Sequence, residues 1–139
     1  MPTRPPTASE LLADPIVVQA LDQAWEDSQS DDPANRHEEG GWIFMNLTTG
    51  ELTARRAARG EQAAIDLSQP PRGEGLVVGK FHTDPNPSSE GWESGPSESD
   101  RIVDDRHGVP DLIRADDGVF VSGPNSRRGG LAGGSGFPS

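Results

Sequence analysis

Cysteine is absent from the 139-residue chain, which excludes disulfide frameworks and thiolate zinc sites. Any metal must therefore be held by His, Asp or Glu. Positive charge is also scarce: 12 Lys and Arg stand against 23 Asp and Glu, a formal net charge of −11. Such a balance repels nucleic-acid phosphates and anionic membrane surfaces, so neither is expected as a partner. No long apolar run exists, and the polar Met1–Glu10 stretch lacks the apolar core of a secretory signal, which predicts a soluble, cytoplasmic protein. Secretion by a non-classical route is compatible with the same features. Apolar residues make up only 31%, while glycine and proline number 17 and 13, so the ordered core should be small and rich in loops.

The length suits one domain, and its organisation can be read along the chain. Residues 1–13 carry Pro2, Pro5 and Pro6 and predict a flexible arm ahead of a domain over 14–124. Asp14-Pro15 opens a helix, because Asp caps well and proline tolerates the first helical position. Ile16, Val17, Ala20, Leu21, Ala24 and Trp25 then recur at helical spacing as far as Ser28. Gly41–Leu47 and Glu51–Ala57 predict a hairpin around Thr48-Thr49-Gly50. A third strand is expected at Ala63–Leu67 and a buried one at Leu76–His82. A Pro-rich loop over 85–96 and a short helix over Ser97–Arg106 follow. Asp111–Arg114 and Val119–Ser122 form a closing hairpin, and residues 125–139 a glycine-rich tail. The expected fold class is α+β: one mixed, mainly antiparallel sheet flanked by helices.

Chemistry concentrates in Gly79–Asp100 (GKFHTDPNPSSEGWESGPSESD). His82 and Asp84 lie two apart at the end of a strand and so share a face. Ser97-Glu98-Ser99-Asp100 adds a third acidic group in the first turn of a helix. Two strand-end ligands, one helix ligand and an open fourth position for water is a common plan for a catalytic metal. By itself Ser97-x-x-Asp100 also reads as a helix-capping arrangement.

Together with Glu38-Glu39-Gly40-Gly41 upstream, this pattern resembles the JAMM motif of the JAB/MPN metallopeptidases: a Glu-led strand, then His-x-His, then Ser-x-x-Asp. The resemblance spans roughly Pro15 to Ser122 and implies a cytidine-deaminase-like architecture. It implies that His82, Asp84 and Asp100 bind one divalent metal, zinc first, with manganese or iron as alternatives. Ser97 would support the developing oxyanion and Glu38 would accept the proton of the metal-bound water. The implied substrate is a peptide or protein, and the reaction is hydrolysis of a peptide or isopeptide bond. Asp84 stands where the motif has its second histidine; a second ligand carboxylate makes the bound water less acidic and favours harder ions. The twelve residues between Asp84 and Ser97 exceed the family's usual spacing.

Other readings accompany these. Alternation puts Glu38 on one face and His37 with Glu39 on the other; a shifted register would make Glu39 the base and bring His37 toward the metal. Asp100, Asp104 and His107 could share a helix face, more simply read as a solvated acidic surface. Trp92 pins the proline-rich loop or contacts substrate. Arg127-Arg128 and the LAGG of the tail carry little weight. The rival from another class is a metal-free, degenerate JAMM-like module that binds a peptide or protein.

Overall fold

The computed structural model describes residues 5–62, 64–73, 75–86, 108–122 and 130–133. Two helices, α1 (Ala8–Ala13) and α2 (Pro15–Asp27), precede the strands. Those are β1 (Gly40–Met45), β2 (Leu52–Arg56), β3 (Leu76–Asp84), β4 (Asp111–Ala115), β5 (Gly118–Ser122) and β6 (Gly130–Gly133). The chain is a small α+β domain built on a mostly antiparallel open sheet.

Helix α1 lies within the stretch, residues 1–13, expected as a flexible arm. Thr7 and Glu10 make a reciprocal capping box: the Glu10 N–H donates to Thr7 Oγ1 (3.2 Å) and the Thr7 N–H to Glu10 Oε1 (2.9 Å). Leu11 and Leu12 are then buried in the core. The turn ends at Asp14, whose extended backbone (φ −84°, ψ 126°) is what a residue before proline adopts. Asp14 also caps α2 by accepting the Ile16 N–H at 2.9 Å. One residue thus stops one helix and starts the next.

Along α2, Val17, Leu21 and Ala24 face the sheet, while Ile16, at 44% exposure, leaves the expected stripe. Strands β1 and β2 form the expected hairpin, closed by Asn46, whose Oδ1 accepts the N–H groups of Thr48 and Thr49. The strand expected at Ala63–Leu67 is not formed over the described residues 64–67. Both edges of β1 are already occupied, by β2 and β3, so no ladder is open there. Leu67 instead packs on the sheet, and its carbonyl accepts the Trp42 indole N–H at 3.0 Å.

Among the described residues the strand order is β2-β1-β3-β4-β5-β6, and β3 with β4 is the parallel pair. A parallel pair is joined by a crossover connection, not by a tight turn. β6 pairs with β5, so residues 130–133 of the predicted tail belong to the sheet.

The sheet has two distinct faces. Leu11, Val17, Leu21, Ile43, Phe81 and Leu112 form the main core beneath the helices. Trp42, Phe44 and Leu67 form a smaller cluster. Trp42 and Phe44 alternate with Ile43 along β1, which puts that cluster on the face away from the helices.

Candidate functional site

Register on β1 and β3 decides which face each candidate residue occupies. Gly40 is the Cα partner of His82 and Trp42 that of Lys80, so these four belong to the face away from the helices. Gly40 has to be glycine: a Cβ there would lie 2.3 Å from the Phe81 carbonyl and 2.9 Å from the His82 Cβ. Glu38 stands two residues ahead of β1. The Asp84 position, two beyond His82 on β3, shares the face as well.

His37 and Glu39 point to the opposite side and are bound into a separate polar network. His37 Nε2 lies 2.5 Å from Glu39 Oε2, and Arg56 donates to Glu39 Oε1 at 2.6 Å. Arg56 also reaches Asp27 at the end of α2 (3.0 Å). The Glu39 N–H donates to Thr83 Oγ1 (3.0 Å), which in turn lies 2.5 Å from Ser28 Oγ. These groups tie the C-terminus of α2 to the sheet. They also engage both His37 and Glu39, the two residues of the shifted-register alternative.

His82 gains a partner that sequence spacing did not suggest. Its Nδ1 lies 3.1 Å from Asp111 Oδ1, with side-chain exposures of 10% and 4%. Parallel pairing aligns Asp111 with Lys80 and puts its side chain on the His82 face. An imidazole that donates Nδ1–H to a carboxylate carries its lone pair on Nε2, the arrangement that orients histidines in metal sites. The signal was present in the sequence: Asp111 heads a strand that is otherwise largely apolar, DLIRA, and a buried carboxylate demands a partner.

The segment around Glu61 fixes the approach to β1. The Glu38 N–H donates to the Glu61 carbonyl (2.8 Å) and the Gly60 N–H to the Glu38 carbonyl (2.9 Å). Gln62 and the buried Asn86 clamp one another: the Asn86 amide donates to the Gln62 carbonyl (2.8 Å) and the Gln62 amide to Asn86 Oδ1 (3.1 Å). One short segment therefore holds both the Glu38 backbone and the chain just past Asp84.

Of the predicted site residues, His82 and Asp84 lie on one face at the C-terminal end of β3, and Glu38 stands two residues ahead of β1, whose Gly40 pairs with His82. Ser97 and Asp100 lie outside the described residues, as do the helix expected at Ser97–Arg106, Trp92, Asp104, His107 and Arg127-Arg128. Among the described residues no three His, Asp or Glu side chains converge closely enough to hold a metal ion. His82 and Asp84 are two of the three expected ligands, and Asp100 is the third. No helix of the described residues is long and apolar enough to cross a membrane. No protein-family model, curated protein or solved structure matches the chain.

Proposed function

We propose that the protein is a metal-dependent hydrolase that cleaves peptide or isopeptide bonds through a metal-activated water. The observation that carries this reading is the buried His82–Asp111 pair at 3.1 Å, standing on the same sheet face as Asp84, with Glu38 two residues ahead of β1. A buried histidine fixed through Nδ1 by a carboxylate, with an acidic neighbour two residues along the strand, suits a divalent ion. The donor set is a mixed nitrogen and oxygen one. Asp84 in place of a second histidine tilts it toward manganese or iron relative to an all-histidine site, with zinc still a fitting occupant.

His82, Asp84 and Asp100 would hold the ion, which when bound lowers the pKa of a coordinated water toward about 7. Glu38 would accept a proton from water and return it to the leaving amine. Ser97 would support the carbonyl oxygen as negative charge develops there. Asp111 keeps the His82 ring in one tautomer and one orientation.

The test is metal content of untagged protein purified without chelator, beside the His82→Ala and Asp100→Ala variants. About one zinc, manganese or iron per folded chain, lost in both variants, is the expected result. A folded wild type that takes up none of these metals even on soaking overturns the proposal and favours the metal-free binding module. Asp84→His separates the two further: it strengthens zinc binding in a degenerate site and disturbs the native metal preference in a working one.

A further inference from the structure

At the end of the β1–β3 ladder the Thr83 N–H donates to the Glu39 carbonyl (2.8 Å). Beyond that rung lie Glu38 on one chain and Asp84 on the other, and Pro85 has no N–H with which to continue the ladder. Residues 60–62 stand in for a further rung. They grip both backbone groups of Glu38: its N–H donates to the Glu61 carbonyl (2.8 Å), and its carbonyl accepts the Gly60 N–H (2.9 Å). The approach is close enough to require glycine, since a Cβ on Gly60 would lie 2.9 Å from the Glu38 carbonyl oxygen and 2.5 Å from that of Ala64. On the other side Asn86, only 2% exposed, presents its side-chain amide as a strand would present a peptide group. It donates to the Gln62 carbonyl (2.8 Å) and accepts from the Gln62 amide (3.1 Å). An apolar side chain of similar size would fill the same space without needing partners. A buried amide there specifies which segment lies against it.

We propose that Asn86 is a positioning residue that couples the metal ligand Asp84 to the proton acceptor Glu38. The proposal rests on the hydrolase reading for the roles of those two residues. An ion that fixes Asp84 also orders the chain two residues on, and the Asn86–Gln62 bonds pass that order to the backbone of Glu38. Filling the metal site thereby settles the proton acceptor in place. Such placement matters to the reaction, because a misplacement of about 1 Å can cost about 10²-fold in rate.

Amide hydrogen exchange, resolved by residue in the isotope-labelled full chain, reads the coupling with zinc as the probe. Without metal, Asn86→Leu removes both side-chain bonds. It should speed exchange of the Glu38 and Gly60 amides by about tenfold or more, while the Trp42 amide inside β1 keeps its rate. Gln62→Leu removes one of the two bonds and should give a smaller increase at the same amides. Gln62 is exposed, so this variant tests the same contact should Asn86→Leu fail to fold. Saturating zinc should slow the Glu38 amide in the wild type and leave it fast in zinc-bound Asn86→Leu, a difference that a purely structural Asn86 does not produce. Unchanged Glu38 exchange in both variants, or equal slowing by zinc in wild type and Asn86→Leu, overturns the proposal. Zinc uptake by the wild type without slowing at Glu38 does the same and leaves the hydrolase reading standing. A wild type that takes up no zinc overturns the coupling and counts against the hydrolase as well.

Discussion

Asp111 meets His82 across the seam between two parallel strands, its Oδ1 3.1 Å from the imidazole Nδ1, both side chains almost wholly shielded from water. A carboxylate in that position raises the basicity of the opposite ring nitrogen and fixes the plane in which it binds an ion. It also explains why β4 begins with an aspartate on a buried strand position.

Truncating this partner should weaken the metal site without touching a ligand. Asp111→Ala is expected to lower metal affinity by about 10–100-fold, the usual effect of losing such an outer partner. Asp111→Asn should do less harm, since its amide oxygen still accepts from Nδ1–H. Competition against a chromogenic chelator measures both, and unchanged affinity in a folded Asp111→Ala protein would remove Asp111 from the site.

The two adjacent glutamates should behave in opposite ways. Glu39→Gln breaks a buried network with His37 and Arg56, and removing one member of a buried ion pair costs about 3 kcal/mol. Glu38→Gln should lower the hydrolytic rate by about 10²–10⁴-fold, the usual contribution of a general base. Denaturant unfolding with an activity assay separates them; full activity in Glu38→Gln would reassign the proton acceptor.

The first turn of helix should prove essential to stability. Leu11 is fully buried and packs with Val17, Leu21 and Phe81, so Leu11→Ala is expected to cost about 2–5 kcal/mol. Removing residues 1–13 should lower the melting temperature by more than that single change. An unaltered melting curve after the deletion would show that α1 contributes nothing to the core.

What could be read from the chain depended on how local the information was. Helix α2 declared itself through an Asp-Pro start and apolar spacing, and β3 through a largely apolar run, Leu76–His82, interrupted by Lys80. Helix α1 was obscured because Pro5 and Pro6 drew attention away from Thr7, Glu10 and the Leu11-Leu12 pair that stabilise it. Residues 64–67 have strand-like composition, yet composition does not show that both edges of β1 are already taken. Asp111 was hidden for another reason. It stands 29 residues from His82, and only a parallel register brings the two together. The choice between Glu38 and Glu39 rested on alternation alone, and both stand ahead of β1, whose paired residues begin at Gly40.

The parallel seam also makes the candidate centre a matter of strand registry. β3 and β4 are aligned from Lys80 with Asp111 to Asp84 with Ala115, and Leu112 shares the main core with Phe81, so the core itself fixes how the two strands are aligned. A slip of one residue in a strand turns every side chain to the other face. Such a slip of β4 would carry the Asp111 side chain away from the His82 face, so the apolar packing of Leu112 decides whether the two polar groups meet at all.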